Sequence, residues 1–393
     1  MTTPVPSSAP ARSRALDGFR GATVALMIVV NNPGSWSALY PPLAHASWHG
    51  CTPTDLVFPF FLFAVGNALA LVMPGYRQLD GAAFAAKVAK RVLLIFGIGL
   101  LLNAAPFVRW DEHGALVMRD WERLRFMGVL QRIALAWGLA ALIMRYQPAP
   151  RALLGWAGAL LLVYWGACVA FGAAADPYSL EGFFGTALDR ALLGPGHLYR
   201  GEGVPFDPEG LASTVPAVAQ VLLGCWAGER LRDGGARAET LLRLFVAAVA
   251  LALLAYAWQL AMPVNKKIWT SSYVLLTSAL AIAALATTVW RVDLRGHRGA
   301  ALAFCEVFGR NPLFIYAMSG LIPRFQGLLR WQDGVDARGA PRFTTPLDWA
   351  WQHLFAPLPV DPRLASLLMA LATLAGYWLL GWWLHRRRIY LRV

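Results

Sequence analysis

Along most of this chain the apolar residues arrive in nearly unbroken blocks, set apart by short stretches rich in Gly, Pro, Arg and aromatic residues. The blocks run to roughly 17–22 residues, the length a helix needs to cross about 30 Å of hydrocarbon. They fall at 17–33, 55–74, 91–106, 126–144, 153–173, 213–229, 241–261, 273–290, 300–320 and 364–384, which predicts ten transmembrane helices. A soluble helical bundle would need polar faces recurring at helical spacing. Blocks such as "ALLGWAGALLLVYWGACVAFGAAA" have none. The expected fold class is an all-α polytopic membrane protein.

Composition agrees: 58% of the residues are hydrophobic, against about 45–50% in an ordinary soluble domain. Charge then sets the orientation. If the N-terminus is cytoplasmic, the inner segments hold 20 Lys and Arg and the much longer outer segments hold 13. Positive residues collect on the cytoplasmic side, so both termini are expected there, as an even number of spans requires. That asymmetry accounts for much of the +13 net charge, and no nucleic-acid partner is needed to explain it. Membrane lipid is the partner that the composition implies.

The opening "MTTPVPSSAPARSRA" is rich in Pro, Ser and Thr and is expected to be a disordered cytoplasmic segment over residues 1–15. It does not read as a cleavable signal, because no charged start precedes the apolar run and that run continues into a full span. Residues 16–393 then form one membrane domain. Cys51, Cys168, Cys225 and Cys305 are scattered without metal-ligand spacing, which indicates neither a disulfide framework nor a zinc site. No internal repeat and no Gly-rich phosphate loop stand out, which weighs against a transporter built on repeats and against an ATP-driven machine.

Chemistry concentrates in "LAHASWHGCTPTDLVFPFFLF", at the mouth of the second span. The loop from Asn31 to Thr54 has no Lys, Arg, Asp or Glu, yet it carries Asn31, Trp36, Tyr40, His45, Trp48 and His49. A neutral, aromatic, histidine-bearing loop reads as a lid over a pocket, or as part of an interfacial aromatic belt. Three readings of His45, His49 and Asp55 stay open. The histidines could share a metal, although a catalytic site needs a third ligand and "HGCTPT" breaks the helical face. One histidine could act as a general base oriented by Asp55 or Asn31, which lie at adjoining ends of neighbouring spans. Both could be structural.

Polar residues inside other spans also need a reason. Arg125 stands at the mouth of the fourth span with Gln131 and Arg132 inside it, and Arg310 with Asn311 sits in the ninth. Intramembrane arginines need anionic partners or a water-filled cavity. Asp55 and Glu306 are the main acidic candidates in the spans, so an anionic ligand such as phosphate is the alternative. The outer segments "GHLYRGEGVPFDPEG" and "MPVNKKIWTSSY" add His197, Tyr199, Asp207, Glu209, Asn265, Lys266 and Trp269, a set suited to a sugar's hydroxyls and amine.

The stretches "RALDGFRGATVALMIVVNNPG", "HASWHGCTPTDLVFPFFLFAVG", "RFMGVLQRIA", "GHLY", "FDPEG", "MPVNKKIWTSSYV" and "GRNPLFIY" together resemble the heparan-α-glucosaminide N-acetyltransferase family, from about residue 14 to 393. The resemblance implies an enzyme in a bacterial inner membrane that takes acetyl from cytosolic acetyl-CoA and places it on a glucosamine-type amine across the membrane. His45 then matches the family's catalytic histidine, Asn31 its assisting asparagine and Asp55 the motif aspartate. Acetyl-CoA is a co-substrate, and no metal is expected. Arg20, Gln131, Arg132, Arg310 and Asn311 become candidates to hold acetyl-CoA. Trp48, Arg125, His197, Tyr199, Asp207, Glu209, Asn265, Lys266 and Trp269 become candidates for the sugar. His49 falls where animal members have asparagine, and the large outward domain of those members is not in this sequence, which points to a smaller acceptor. A homodimer stays open. The rivals are an acyltransferase-3-type O-acetyltransferase of envelope polysaccharide, whose first span carries a similar "LDGFRG", and an amino-sugar permease.

Overall fold

A computed structural model describes residues 13–335, 339 and 341–391. Most of the segment expected to be disordered lies outside the described residues. Its last three, Ser13 to Ala15, instead open the first helix, where the Ser13 hydroxyl accepts from the Leu16 amide at 3.2 Å. Such a cap satisfies one of the orphan donors at a helix start.

The chain is mostly helical: α1 Arg14–Asn31, α2 Val57–Arg77, α3 Gly81–Ala104, α4 Val129–Tyr146, α5 Pro150–Phe171, α6 Phe184–Leu193, α7 Thr214–Gly234, α8 Ala238–Trp258, α9 Ser271–Val289, α10 Ala300–Arg310, α11 Pro312–Gln326, α12 Pro346–Ala350 and α13 Pro362–Arg386. Two antiparallel hairpins, Val108–Trp110 with Leu116–Met118 and Trp331–Val335 with Pro341–Thr344, sit in the connections. A helix overlies each interval predicted to span. Six segments (Pro53–Arg77, Val129–Tyr146, Pro150–Phe171, Ala238–Trp258, Ser271–Leu294 and Pro362–Arg386) are long and apolar enough to cross a membrane. Of these, α5, α8 and α13 leave most of their apolar surface facing outward, the side a lipid solvent would cover.

The ninth predicted span, 300–320, is not one helix. It breaks into α10 and α11 at Asn311, whose backbone leaves the helical region at φ −132° and ψ 48°. Pro312 causes this, since it lacks an amide donor and pushes its predecessor out of the α conformation. The break frees Asn311, whose Nδ2 donates to Ile389 O at 3.0 Å while its Oδ1 accepts from Leu391 N at 2.9 Å. The segment after α13 is tied to the bundle there.

Small residues set how closely the helices cross. A Cβ on Gly66 of α2 would stand 2.1 Å from Val221 O of α7, and one on Gly224 of α7 would stand 2.2 Å from Phe63 O of α2. At the α1–α10 crossing, a Cβ on Gly21 would stand 1.7 Å from Cys305 O, and one on Gly309 would stand 1.9 Å from Asp17 O. Backbone-to-backbone approach is how membrane helices gain dispersion contact when lipid offers no hydrophobic drive. Gly224→Val should therefore cost about 1–3 kcal/mol of overpacking and lower the melting temperature in detergent by several degrees. Gly155→Ala, where nothing lies within 4 Å of the new carbon, should change it little. Equal melting of the two variants would contradict this account of the crossing.

Candidate active site

At one end of the bundle the chain leaves α1, makes a short 3₁₀ turn at Pro41–Leu43 and a second at Pro53–Leu56, and enters α2. Thr52 and Asp55 form a capping box at that entry and Pro53 sits at its first position, the arrangement that fixes an approach angle. Asp55 is fully buried. Its Oδ2 accepts from the amides of Ala46 at 3.1 Å and Thr52 at 3.0 Å, and its Oδ1 lies 2.6 Å from His45 Nδ1. The Tyr273 hydroxyl, from α9, donates to the Asp55 carbonyl at 2.5 Å. Thr54 donates to Pro42 O at 3.1 Å. One carboxylate thus gathers the loop.

His45 stands half-exposed above it. Because Asp55 only accepts, the proton belongs on Nδ1, and Nε2 is left as the basic nitrogen, an assignment made from the hydrogen-bond pattern. Lys266 reaches in from the α8–α9 connection. Its Nζ lies 3.0 Å from His45 Nδ1, 3.3 Å from Nε2 and 3.5 Å from Asp55 Oδ1. Such equal approach to both ring nitrogens puts the amine above the ring face, since an in-plane position would collide with Cε1. Burial pulls the Lys266 amine below the ordinary lysine range, and the Asp55 charge opposes that only in part.

A cavity of about 370 Å³ opens beside this group, lined by His45, Asn31, Trp48, Asp55, Lys266 and Tyr316 among others. On its far wall, Arg125 donates from Nε and Nη2 to the two Asp207 oxygens at 2.8 and 2.6 Å, and from Nη2 to Glu209 at 2.5 Å. Burial by itself would lower the Arg125 pKa, but the two carboxylates outweigh it and raise the value. Tyr199 lies 4.8 Å below the guanidinium. His197 stacks on Phe126 at 4.0 Å and donates to Leu124 O at 2.7 Å, which holds the segment carrying Arg125. Trp48 donates to Tyr178 O at 2.9 Å.

Other expected site residues fall elsewhere. Asn265 is buried and accepts from the Ile268 amide at 3.1 Å, and Trp269 is buried with φ 54°. Both shape the loop that delivers Lys266 rather than line the cavity. His49 Nδ1 lies 3.4 Å from the Asn265 amide, a different partner from the Asp55 that holds His45. The sequence left Arg132 and Arg310 without evident partners, and this is corrected. Arg132 is buried at the His45 end, donating to Pro208 O at 2.7 Å and to the Ser213 hydroxyl, with Trp269 at 5.0 Å. Arg310, at the opposite end with Asn311, donates to the His385 ring at 2.9 Å and to Tyr390 at 3.2 Å. Arg20, also at that end, is paired with Asp17 at 2.5 Å. Gln131 is buried against Gly99 on α3. These five residues do not converge on one place.

Sequence reasoning missed Lys267 and Glu202, which pair at 2.6 Å and line the cavity. It also missed an apolar groove of about 460 Å³ between α1, α2, α9 and α10. Val57 lines both the groove and the His45 cavity. From there the groove follows α1 between Leu26 and Gly18, about 12 Å at a 1.5 Å rise, and ends at Arg291 and His297. The "NKK" doublet was a signal for the first pair; nothing in the pattern marked the groove.

A family model described as an acyltransferase domain matches residues 13–382, nearly the whole described chain. The chain belongs to the acyltransferase-3 family. It is also similar to the heparan-alpha-glucosaminide N-acetyltransferases of Homo sapiens, 29% identical over 362 residues, and of Mus musculus, 27% identical over 358 residues. These alignments cover 79% and 78% of this chain and 53% of each relative. The acyltransferase thus spans about half the length of the curated relatives it matches.

The loop behind Arg125 is held by Asp189 of α6, whose Oδ1 accepts from the Leu211 amide at 2.9 Å. Burial is the main cause that lifts the Asp189 carboxyl to about 6, with the Leu211 bond opposing. The folded acyltransferase therefore holds this proton more tightly than the unfolded chain does, whose value is near 3.8. The resulting stability is complete below that value and is lost as pH rises through about 6. Asp189→Asn keeps the acceptor and removes the titration. Thermal unfolding should show the variant gaining on wild type between pH 5 and pH 8; a constant difference across that range would reject the assignment.

Proposed function

We propose that this acyltransferase moves acetyl from acetyl-CoA to the amine of a glucosamine-type sugar, with His45 as the base. The reading includes ten spans in a bacterial inner membrane, both termini cytoplasmic, the donor entering from the cytoplasm and the acceptor from the periplasm. One observation carries it. The basic Nε2 of an imidazole fixed by a buried carboxylate borders a cavity that shares Val57 with a groove leading toward the other end of the bundle. Acetyl-CoA has a charged head that cannot cross lipid and a thin, uncharged arm of methylene, amide and hydroxyl groups. The groove suits that arm, and Arg291 and His297 at its far end suit phosphate. Arg20 and Arg310, at that same end, are already engaged with protein partners.

In the reaction, His45 Nε2 takes a proton from the sugar nitrogen as that nitrogen attacks the thioester carbonyl. The C–N bond forms, the C–S bond breaks, and the leaving thiolate recovers the proton from His45. Asp55 holds the Nδ1 proton and favours the imidazolium formed on the way, as a buried carboxylate does behind a catalytic histidine. Asn31 opens onto the cavity and is placed to donate to the developing oxyanion. The sugar amine reacts in its neutral form, an ammonium first losing one proton to bulk water, so that the single proton His45 then takes is the one the thiolate recovers. The similarity to N-acetyltransferases supports an amide product. The acyltransferase-3 membership equally accommodates a hydroxyl acceptor, which would give a base-labile ester instead.

Purified protein in lipid nanodiscs, given acetyl-CoA and amino sugars, tests this directly. His45→Ala should lose at least a thousandfold in kcat while acetyl-CoA still binds, and His49→Ala should retain most activity. Thiol release that continues in His45→Ala would remove the base assigned here, and an ester product would replace the amine with a hydroxyl. Labelled acetyl retained on His45 without a sugar would replace direct transfer with a two-step route.

A further inference from the structure

The chain has four lysines, Lys87, Lys90, Lys266 and Lys267. Lys87 and Lys90 lie early in α3, at the end of α2 far from His45, whereas Lys266 and Lys267 both line the His45 cavity. The two cavity lysines are held differently. Lys267 donates to the Glu202 carboxylate at 2.6 Å and to Ser47 O at 2.8 Å, so two acceptors engage it. Lys266 has only a distant share of Asp55, 3.5 Å from its Nζ, and that carboxylate already accepts from the Ala46 and Thr52 amides and from His45. The nearest neighbours of Nζ are the His45 ring nitrogens, at 3.0 and 3.3 Å. Burial disfavours the charged form of this amine, and a desolvated lysine amine is a nucleophile toward carbonyl carbon. The amine is not sealed off, since 22% of the side chain stays open where it lines the cavity.

We propose that Lys266 is a self-acetylation site: when no acceptor fills the cavity, its amine takes the acetyl group and the site closes. This rests on the acetyl-thioester reading of the His45 cavity. A thioester placed where His45 serves an acceptor nitrogen also meets Lys266, whose Nζ stands 3.3 Å from the same Nε2. The amine reacts in its neutral form, its ammonium first losing one proton to bulk water. The nitrogen attacks the thioester carbonyl, the C–N bond forms and the C–S bond breaks. The nitrogen's surplus proton goes to the leaving thiolate, so the products are a side-chain amide and a free thiol. Acetylation removes the lysine charge, and with it the cation that Asp55 holds at 3.5 Å. The added carbonyl and methyl stand over the imidazole, in a cavity of only about 370 Å³, where the sugar nitrogen would approach. A bound acceptor takes the acetyl first, so the modification accumulates only when donor is plentiful and acceptor scarce.

The test incubates nanodisc protein with acetyl-CoA and no sugar, maps acetyl groups by peptide mass spectrometry, and then assays transfer to glucosamine. Lys266 should carry a hydroxylamine-stable acetyl group in at least tenfold excess over Lys267. The initial rate should fall at least fivefold, in step with that occupancy. Glucosamine present during the incubation should suppress the modification. Lys266→Arg keeps the charge and should hold its own starting rate through the same incubation, and Lys267→Arg should still become acetylated at Lys266. Acetylated sugar with Lys266 unmodified, equal acetyl on both lysines, a hydroxylamine-labile acetyl on His45 alone, or a wild-type rate that stays level as Lys266 fills overturns the proposal. If acetyl-CoA modifies neither sugar nor protein, the acetyl-CoA reading fails instead, and S-acetyl-N-acetylcysteamine, a thioester without the charged head, still judges the site. Lys266 labelled ahead of Lys267 by that thioester supports the proposal; equal or absent labelling overturns it.

Discussion

The Asp55 carboxylate is the group on which the site is built. A carboxylate at 1% exposure is costly unless its lone pairs are occupied. Here each oxygen has a different task. One ties two backbone amides, Ala46 and Thr52, into the turn that starts α2, and the other orients His45 and attracts Lys266. Folding of the loop and orientation of the imidazole are therefore one event. Removing the charge would release the turn as well as the ring, so orienting His45 is not separable from holding the loop. The Tyr273 hydroxyl on the Asp55 carbonyl extends that dependence to α9.

The loop itself is neutral from Asn31 to Thr54, and the structure explains why that neutrality is tolerable in a site that handles charge. The charges are brought to it from other connections. Lys266 and Lys267 come from before α9, Glu202 and Glu209 from before α7, and Arg125 from before α4. Each arrives with its balance already provided: Arg125 with Asp207 and Glu209, Lys267 with Glu202, Lys266 with Asp55. Paired charges at a membrane boundary cost far less than isolated ones. The cavity can then present donors and acceptors of both signs without a large net field.

Reading the sequence reached the helices and the histidine motif because those signals are local. A run of apolar residues declares its own length, and "HASW" with Asp55 ten residues on declares a motif. The break at Asn311 was also written locally, in Pro312, but the apolar run across it dominated. What stayed hidden depends on which helices meet. Arg132 was read as an intramembrane cation in search of an anion, whereas a loop 76 residues away covers it with carbonyl oxygens. Lys266 was placed with the sugar-facing residues, yet 221 residues separate it from the imidazole it touches. The groove has no motif at all, because it consists of the space that small residues on α1 leave beside α9 and α10.

That groove shows how close packing on one face of α1 leaves space on another. At Gly21 and Gly309 the backbones of α1 and α10 meet, which draws the two helices together on one side. On the other side, Gly18, Ala22 and Leu26 face α9 residues Ala284, Thr287 and Thr288 across open volume. The same helix is thus clamped along one face and unfilled along another. A lipid-filled gap would be an ordinary defect of packing. This one is different, because it begins at basic residues on one end and closes at Val57, two residues from the carboxylate that orients His45. Val57 also lines the His45 cavity, so a larger side chain there would alter a wall the two spaces share. The groove is open because α1 is tightly packed on one face alone.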